Sequence, residues 1–307
     1  MKISSVLTIV IFVSLYSPLA QPQNSSSEPQ SNNLLIIANS QLTLEISDPL
    51  LASKKDMLLD WIRYSAFAVE NYYGQFPVKK YRLQLKTYEG SGIRSGHAFG
   101  GDDPYIIVNL GDHVTEQELN KDWVLVHEMI HLALAELPRR HHWLVEGLAV
   151  YIESVSRVKA GHLNQETVWK GFFRGMPNGL PKHGDEGLDY TPTWGRKYWG
   201  GAIFCLLADI EIRQRTNNRM GLQDAMRGVL KAGFSMNKGT TIETLLKLGD
   251  ESTGQNVLMS MYQKMKAEPV STDLPELWQS LGLSLVEGNI VYNNDAPNAA
   301  IRSKIFE

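Results

Sequence analysis

The residues of this chain best suited to chemistry are two histidines and a glutamate in the segment His127-Glu128-Met129-Ile130-His131. Residues four apart in a helix project from the same face, so the two imidazoles can bind one metal ion. Glu128 lies beside them, where it can take a proton from a water molecule. The flanking residues are apolar, and buried ionisable groups are costly unless they are paired or bind a metal. The segment therefore favours a metal site over the alternative, a core helix with two hydrogen-bonded histidines.

A catalytic zinc ion takes three protein ligands and keeps one position open. A third histidine in the spacing His-x-x-Gly-x-x-His is excluded, because Leu134 and Leu137 stand at those places. Glu146 is the better candidate, since it follows His131 by fourteen intervening residues inside an apolar, helix-like segment. Glu153 lies seven residues further on the same helical face. It either accepts a hydrogen bond from a ligating histidine or is a plain surface carboxylate.

These residues need helices to position them, and the apolar periodicity predicts several. Thr115 and Glu118 form a possible capping box, which predicts a helix running from Thr115 through Ala135. Alternation predicts strands at Tyr81–Lys86 and Tyr105–Leu110, separated by the glycine-rich stretch Gly90–Gly101. Further helices are predicted at Met57–Tyr73, Trp143–Ser154, Tyr198–Gln214, Leu222–Lys231, Thr241–Leu248 and Val257–Ala267.

The stretch between Glu153 and Tyr198 is rich in Gly, Pro and His, and we interpret it as a functional loop. Among the milder candidates, His141 and His142 lie between the predicted ligand helices. They could contact substrate, although a solvated basic turn is the more ordinary interpretation. Because strands come first and helices follow, the order of elements predicts one α+β domain with two lobes.

Length and composition exclude several classes of protein. The chain has 307 residues, 43% of them hydrophobic, and a net charge of −3. It is therefore too apolar to be disordered throughout, and it has no general attraction for nucleic acid. The single cysteine, Cys205, excludes an intramolecular disulfide and a metal cluster built only of cysteines.

The N-terminus predicts export. Lys2, the apolar run Val6–Leu15 and the small residue Ala20 match a secretory signal peptide over residues 1–20, and the run is short for an uncleaved anchor. A polar leader follows over residues 21–33, then a catalytic domain over residues 34–280. The C-terminal extension, residues 281–307, either packs on the domain or recognises a partner. With one cysteine, the exported chain fits a bacterial periplasm better than a disulfide-rich extracellular setting, and secretion stays open.

The metal-ligand pattern resembles that of the gluzincin metallopeptidases, which carry His-Glu-x-x-His on one helix and a glutamate ligand on the next. The branch with the glycyl and alanyl aminopeptidases is the more similar. Its third-ligand helix commonly has the pattern found here as Trp143-Leu144-Val145-Glu146-Gly147-Leu148-Ala149. Tyr198-Trp199-Gly200-Gly201-Ala202 is similar to that branch's Tyr-x-x-Gly element, whose tyrosine contacts the reaction oxyanion.

The resemblance implies a zincin-like, thermolysin-like fold, with a small N-terminal mixed β-sheet lobe and a mainly helical C-terminal lobe. It implies one Zn²⁺ ion bound by His127, His131 and Glu146, with Glu128 as general base and Tyr198 as the oxyanion donor. It also implies that the segment with Gly96, Ala98 and Gly100 forms the substrate-side edge strand.

Two features depart from the family pattern. The loop between His131 and Glu146 is shorter than in the well-known aminopeptidases. The Gly-x-Met-Glu-Asn element that holds a free amino terminus is missing. Asp102 or Asp103 could substitute for its glutamate, although a turn is the more ordinary use of Gly-Gly-Asp-Asp.

The sequence thus predicts an exported zinc metallopeptidase acting on peptides or proteins, with endopeptidase and aminopeptidase both open. It predicts no nucleic-acid partner and no membrane span once the signal peptide is removed, and it leaves the oligomeric state open. The alternatives are an inactive binding or scaffolding protein of the cell envelope with the same fold, and an enzyme acting on a non-peptide amide of the cell wall.

Overall fold

A five-stranded mixed sheet forms the first part of the computed structural model, which describes residues 33–307. The strand order is β1-β2-β3-β5-β4, so β4 lies at one edge of the sheet. β2, β3 and β5 run parallel, whereas β1 and β4 are antiparallel to their neighbours. The strands are β1 Asn33–Ile37, β2 Ser40–Ile46, β3 Lys80–Tyr88, β4 Ile93–Phe99 and β5 Tyr105–Gly111.

Alternating apolar side chains hold this sheet to the core. Leu83 and Leu85 of β3 and Ile106 and Val108 of β5 are buried, as the sequence alternation predicts. The glycine-rich stretch contains the whole of β4, so it is a strand as well as a set of turns.

Helices make up most of the rest of the described chain. They are α1 Pro49–Ala52, α2 Lys55–Tyr73, α3 Glu116–Lys121, α4 Val124–His131, α5 His142–Lys159, α6 Gln165–Gly175, α7 Gly201–Thr216, α8 Leu222–Lys231, α9 Ile242–Thr253, α10 Leu258–Met265, α11 Leu274–Ser280 and α12 Ala299–Lys304. Short 3₁₀ turns occupy Arg139–His141 and Met176–Gly179, and a π-helical turn occupies Arg196–Gly200. None of the helices described is long and apolar enough to cross a membrane.

The helix predicted over Thr115–Ala135 is in fact two helices. The capping box of Thr115 and Glu118 begins α3, as predicted, but the backbone becomes extended at Asp122. The Asp122 carboxylate accepts hydrogen bonds from the backbone N–H groups of Val124 and Leu125, at 2.8 and 3.0 Å. Asp122 therefore satisfies the first turn of a new helix, α4, which carries the two histidines.

The predicted loop between Glu153 and Tyr198 is wrong over its first half. α5 continues to Lys159, and α6 occupies 11 residues of the interval that follows. Asn164 begins α6 by accepting a hydrogen bond from the N–H of Thr167 at 2.8 Å, and Trp169 in α6 is fully buried. The residues after α6, from 176 to 195, are largely irregular.

The C-terminal residues belong to the same compact unit as the rest of the described chain. A hairpin of β6 (Leu283–Val286) and β7 (Asn289–Tyr292) precedes α12. The Arg302 guanidinium donates to the carbonyl oxygens of Leu281 and Gly282 at 2.9 and 3.0 Å, and the Phe306 ring packs edge-on against Trp169. The C-terminal residues thus pack on the helices. The predicted signal peptide and nearly all of the predicted leader lie outside the described residues.

Candidate metal centre

The structure brings His127, His131 and Glu146 to one point. A Glu146 carboxylate oxygen lies 3.5 Å from Nε2 of His127 and 3.6 Å from Nε2 of His131. One ligand atom from each residue lies within 4.8 Å of the other two. α4 supplies the histidines one turn apart, and α5 supplies the glutamate.

These distances fit a zinc ion. Zinc lies about 2.0–2.2 Å from imidazole nitrogen and carboxylate oxygen, so ligand atoms in a tetrahedral site stand roughly 3.3–3.5 Å apart. The observed separations match that spacing and are longer than a normal hydrogen bond. Both histidines are also buried. The three side chains thus converge as metal ligands do.

The carboxylates of this site have shifted pKa values in opposite directions. Burial raises the pKa of Glu128 to about 7, and the charge of Glu146 adds to that rise. Burial also opposes ionisation of Glu146, but the imidazoles of His127 and His131 outweigh it and hold the Glu146 pKa well below its usual range. Glu146 is therefore set up as an anionic ligand, whereas Glu128 can accept and release a proton near neutral pH.

Tyr198 reaches the same cleft from the π-helical turn. Burial raises the pKa of its hydroxyl, and the charges of Glu146 and Glu128 raise it further. The tyrosine therefore keeps its proton and can donate a hydrogen bond.

Two glycines allow α5 and α7 to approach each other beside Tyr198. A Cβ on Gly147 would lie 2.3 Å from the carbonyl carbon of Gly201, and a Cβ on Gly201 would lie 2.0 Å from the Trp143 carbonyl oxygen. Side chains at these positions would force the helices apart. The Glu146-Gly147 and Gly200-Gly201 pairs therefore keep Glu146 and Tyr198 on one cleft.

Strand β4 forms the opposite wall of the cleft, which has a volume of about 720 Å³. Gly96, Ala98 and Gly100 all line it, and their role toward substrate stays a prediction. Among the described strands β4 pairs with β5 alone, so its other edge has no strand partner within residues 33–307. A Cβ on Gly96 would lie 2.5 Å from Cγ of Glu128, so only glycine leaves room for the Glu128 side chain there.

Glu153 is buried, with 7% of its surface exposed, so it is not a surface carboxylate. It accepts a hydrogen bond from Nη1 of Arg157 at 2.5 Å and another from the Ser154 hydroxyl at 3.1 Å. It makes no hydrogen bond to His127, whose Nδ1 atom is buried without a partner among the described residues. Its role in orienting His127 stays a prediction.

Several cleft residues were not predicted from sequence as part of the site. They are His97 on β4 and the residues Phe99, Tyr105 and Met236. His142 at the start of α5, which the sequence offered as a substrate contact, also lines the cleft. The sequence could have indicated His97, because it lies between Gly96 and Ala98, which were both predicted to line the cleft. The pKa of His142 is lowered by burial and by the charge of Lys197.

The interpretation of His141 as part of a solvated turn is wrong. His141 is 1% exposed, and its Nδ1 atom lies 2.9 Å from a carboxylate oxygen of Asp189. Asp102 does not line the cleft, and Asp103 pairs with Arg82 at 2.7 Å, so neither takes the place of the missing amine-binding glutamate.

Solved structures share this fold, although no known protein-family profile and no curated protein matches the sequence. An aminopeptidase N family protein from Idiomarina loihiensis aligns with a TM-score of 0.61 and 14% identity, over 81% of this chain and 49% of its own. An M1 zinc metallopeptidase from Deinococcus radiodurans aligns with a TM-score of 0.47 and 15% identity, over 78% and 52%. The chain thus spans about half the length of the solved structures it matches. It has an α+β fold similar to that of an aminopeptidase N family protein.

Proposed function

We propose that this chain is an exported zinc-dependent metallopeptidase that hydrolyses peptide bonds. The observation that carries the proposal is the convergence of His127, His131 and Glu146 in a cleft that also holds Glu128 and Tyr198. An inactive scaffolding protein needs neither a buried Glu128 nor a cleft-facing Tyr198, so nothing in the site favours that alternative.

His127, His131 and Glu146 would hold the ion, which supplies Lewis acidity for a carbonyl and acidifies water when it is bound. Glu128 accepts the proton of the attacking water and delivers it to the leaving amine, as its pKa near neutrality allows. Tyr198 donates a hydrogen bond to the oxyanion that develops on the carbonyl. The free edge of β4 can align an extended peptide through backbone hydrogen bonds.

The test combines zinc content with digestion of a peptide library. We expect one zinc per chain in the purified protein, and cleavage that a chelator abolishes and added zinc restores. Glu128→Gln should keep its zinc and lose activity by a factor of about 10²–10⁴, because it removes the general base. Glu116→Gln is the matched control, since Glu116 is exposed in the first turn of α3 and does not line the cleft. A zinc-loaded Glu128→Gln protein with wild-type activity would refute the mechanism.

The same digestion distinguishes endopeptidase from aminopeptidase activity. Among the described acids that line the cleft, Glu128 and Glu146 belong to the proposed catalytic site and Glu136 is exposed to solvent. We therefore infer no dedicated amine-binding carboxylate, and internal cleavage is the expected pattern. Stepwise release of amino-terminal residues would instead assign the chain as an aminopeptidase.

Export is a separate part of the proposal, and it rests on the sequence of residues 1–20. Expression of the full chain in a bacterium, followed by fractionation and N-terminal sequencing, tests it. A mature protein outside the cytoplasm that begins after residue 20 is expected, and a full-length cytoplasmic protein would contradict export.

A further inference from the structure

Asp189 lies outside the cleft, in the irregular segment between α6 and α7, yet its side chain is only 6% exposed. Its carboxylate accepts three hydrogen bonds from side chains. Oδ1 faces Nδ1 of His141 at 2.9 Å and Nε1 of Trp143 at 2.8 Å, and Oδ2 accepts from the Tyr262 hydroxyl at 2.8 Å.

The direction of the His141 bond follows from its other nitrogen. Nε of Arg140 donates to Nε2 of His141 at 3.0 Å, so the ring proton is on Nδ1. Asp189 is therefore an acceptor for three donors, and no other residue of the described chain is hydrogen-bonded to the Trp143 indole.

The Asp189 side chain is itself held in a fixed place. The backbone N–H groups of Gly187, Leu188 and Asp189 donate to the carbonyl oxygens of Ala267, Met265 and Lys266, at 2.7–3.0 Å. The segment thus runs along the end of α10, which also supplies Tyr262. Asp189 cannot shift without breaking this short ladder.

Two of its three donors belong to the start of α5. His141 precedes the helix, and Trp143 lies in the first turn, one turn before Glu146. The residue before α5 provides no side-chain cap, so the first turn lacks the usual anchor. The Trp143 ring is also packed between Phe204 of α7 and Tyr262 of α10.

We propose that Asp189 is a positioning residue of the metal site: it anchors the first turn of α5 and so keeps the Glu146 carboxylate at ligand distance from His127 and His131. The inference rests on the proposed zinc site. Asp189 lies 43 positions from Glu146 in the sequence. Its role is similar to that of residues that orient a metal ligand without contacting the metal themselves.

The first experiment is Asp189→Ala, with zinc affinity measured by competition with a chromophoric chelator below the melting temperature of each variant. Removing the acceptor leaves three buried donors unpaired, and we expect zinc affinity to fall by about 10- to 100-fold. Cobalt substitution gives a second measure, because the visible absorption of bound Co²⁺ depends on its coordination geometry. We expect that spectrum to change in Asp189→Ala.

Asp250→Ala is the matched control. Asp250 is also a buried carboxylate with three hydrogen bonds, which it accepts from the backbone N–H groups of Val257, Leu258 and Met259 at 2.8–3.0 Å. It joins α9 to α10 and does not line the cleft. Its loss should lower the melting temperature while zinc affinity and the cobalt spectrum stay as in the wild type.

The outcomes separate the two claims. Equal zinc affinity in Asp189→Ala and Asp250→Ala overturns the inference, whereas a wild-type protein that binds no zinc overturns the proposed function itself. If Asp189→Ala does not fold, Asp189→Asn decides, since it keeps one acceptor oxygen for His141 and Trp143. A loss of zinc affinity then supports the inference, and unchanged affinity overturns it.

Discussion

In the helical core, the carboxylate of Asp209 accepts hydrogen bonds from the Tyr151 hydroxyl, from Nε of Arg213 and from the backbone N–H of Leu222, at 2.7–2.9 Å. In the cleft, the Ala98 N–H is the hydrogen-bond donor to Glu128, and Glu146 faces the Tyr198 hydroxyl and the two imidazoles, which lie 3.5–3.6 Å away. Both regions bury acids, and the core acid has the closer set of donors.

This difference separates stability from function. A buried polar group that is fully paired contributes to the fold, whereas an unpaired one is a cost that the rest of the structure must offset. Burial of the two cleft acids costs free energy of folding, and these acids also face the proposed metal site. We therefore expect substitutions in the core to lower stability and substitutions in the cleft to lower activity.

The largest effect on stability is expected from Asp209→Ala. It leaves the Arg213 guanidinium buried without its partner, and breaking a buried pair in this way costs about 3–5 kcal/mol of unfolding free energy. Urea unfolding measures the loss, and zinc stoichiometry at low denaturant should not change. Asp60→Ala is the control, because the Arg63–Asp60 pair is exposed and such pairs often contribute nothing measurable. Similar losses in both variants would contradict the comparison.

Tyr198→Phe tests the expectation that a substitution in the cleft lowers activity and leaves stability unchanged. It removes the donor proposed for the oxyanion, and the loss of one such donor raises the barrier by about 3 kcal/mol, or roughly 10²-fold in kcat. The ring keeps its stacking with Trp194, 6.0 Å between centroids, so the melting temperature should stay close to that of the wild type. Steady-state kinetics together with calorimetry give both readings. A stable variant with full kcat would remove Tyr198 from the mechanism.

The local parts of the fold were predictable from sequence, because they depend on neighbours along the chain. The one-turn spacing of His127 and His131, the capping box at Thr115 and the apolar faces of β3 and β5 are all short-range patterns. The same patterns missed the break at Asp122, since an aspartate that caps a new helix inside an apolar run carries little periodic signal. They also missed α6, whose buried Trp169 is stabilised by packing on distant segments.

Contacts between residues far apart in the chain could not be predicted from the sequence. Asp189 meets His141 across 48 positions, and Gly147 meets Gly201 across 54. Nothing local marks an aspartate as a hydrogen-bond centre or a glycine as a helix contact. The resemblance to a known family supplied the role proposed for Tyr198, whereas the cleft residue Met236 was identified only from the structure.

Gly96→Ala tests how closely the cleft wall packs against Glu128. The added Cβ would lie 2.5 Å from Cγ of Glu128 and 2.8 Å from Cγ1 of Val124, so the side chains must shift at a cost of about 1–3 kcal/mol. Activity should fall with stability, because the displaced group is the proposed base. Gly171→Ala is the matched control: its Cβ meets nothing within 4 Å in α6, and alanine there should stabilise the helix. Unchanged kinetics in Gly96→Ala would mean that Glu128 has room to move.

Glu128→Gln in the zinc-free protein is the smallest effect and the most direct test of the cost of the cleft acids. Burial disfavours the charged carboxylate of Glu128, and the nearby charge of Glu146 disfavours it further. A neutral amide of the same shape avoids both penalties, so the zinc-free variant should be more stable than the zinc-free wild type by about 1 kcal/mol at pH 8. Thermal unfolding in the presence of a chelator measures the difference. The sign of the stability change decides the comparison. Asp209→Ala removes a buried carboxylate that has three donors at 2.7–2.9 Å, whereas Glu128→Gln removes one whose charge is disfavoured by burial and by Glu146. If Glu128→Gln is instead destabilising without zinc, then Glu128 is held by the fold as Asp209 is, and the division between a core that stabilises and a cleft that reacts does not hold.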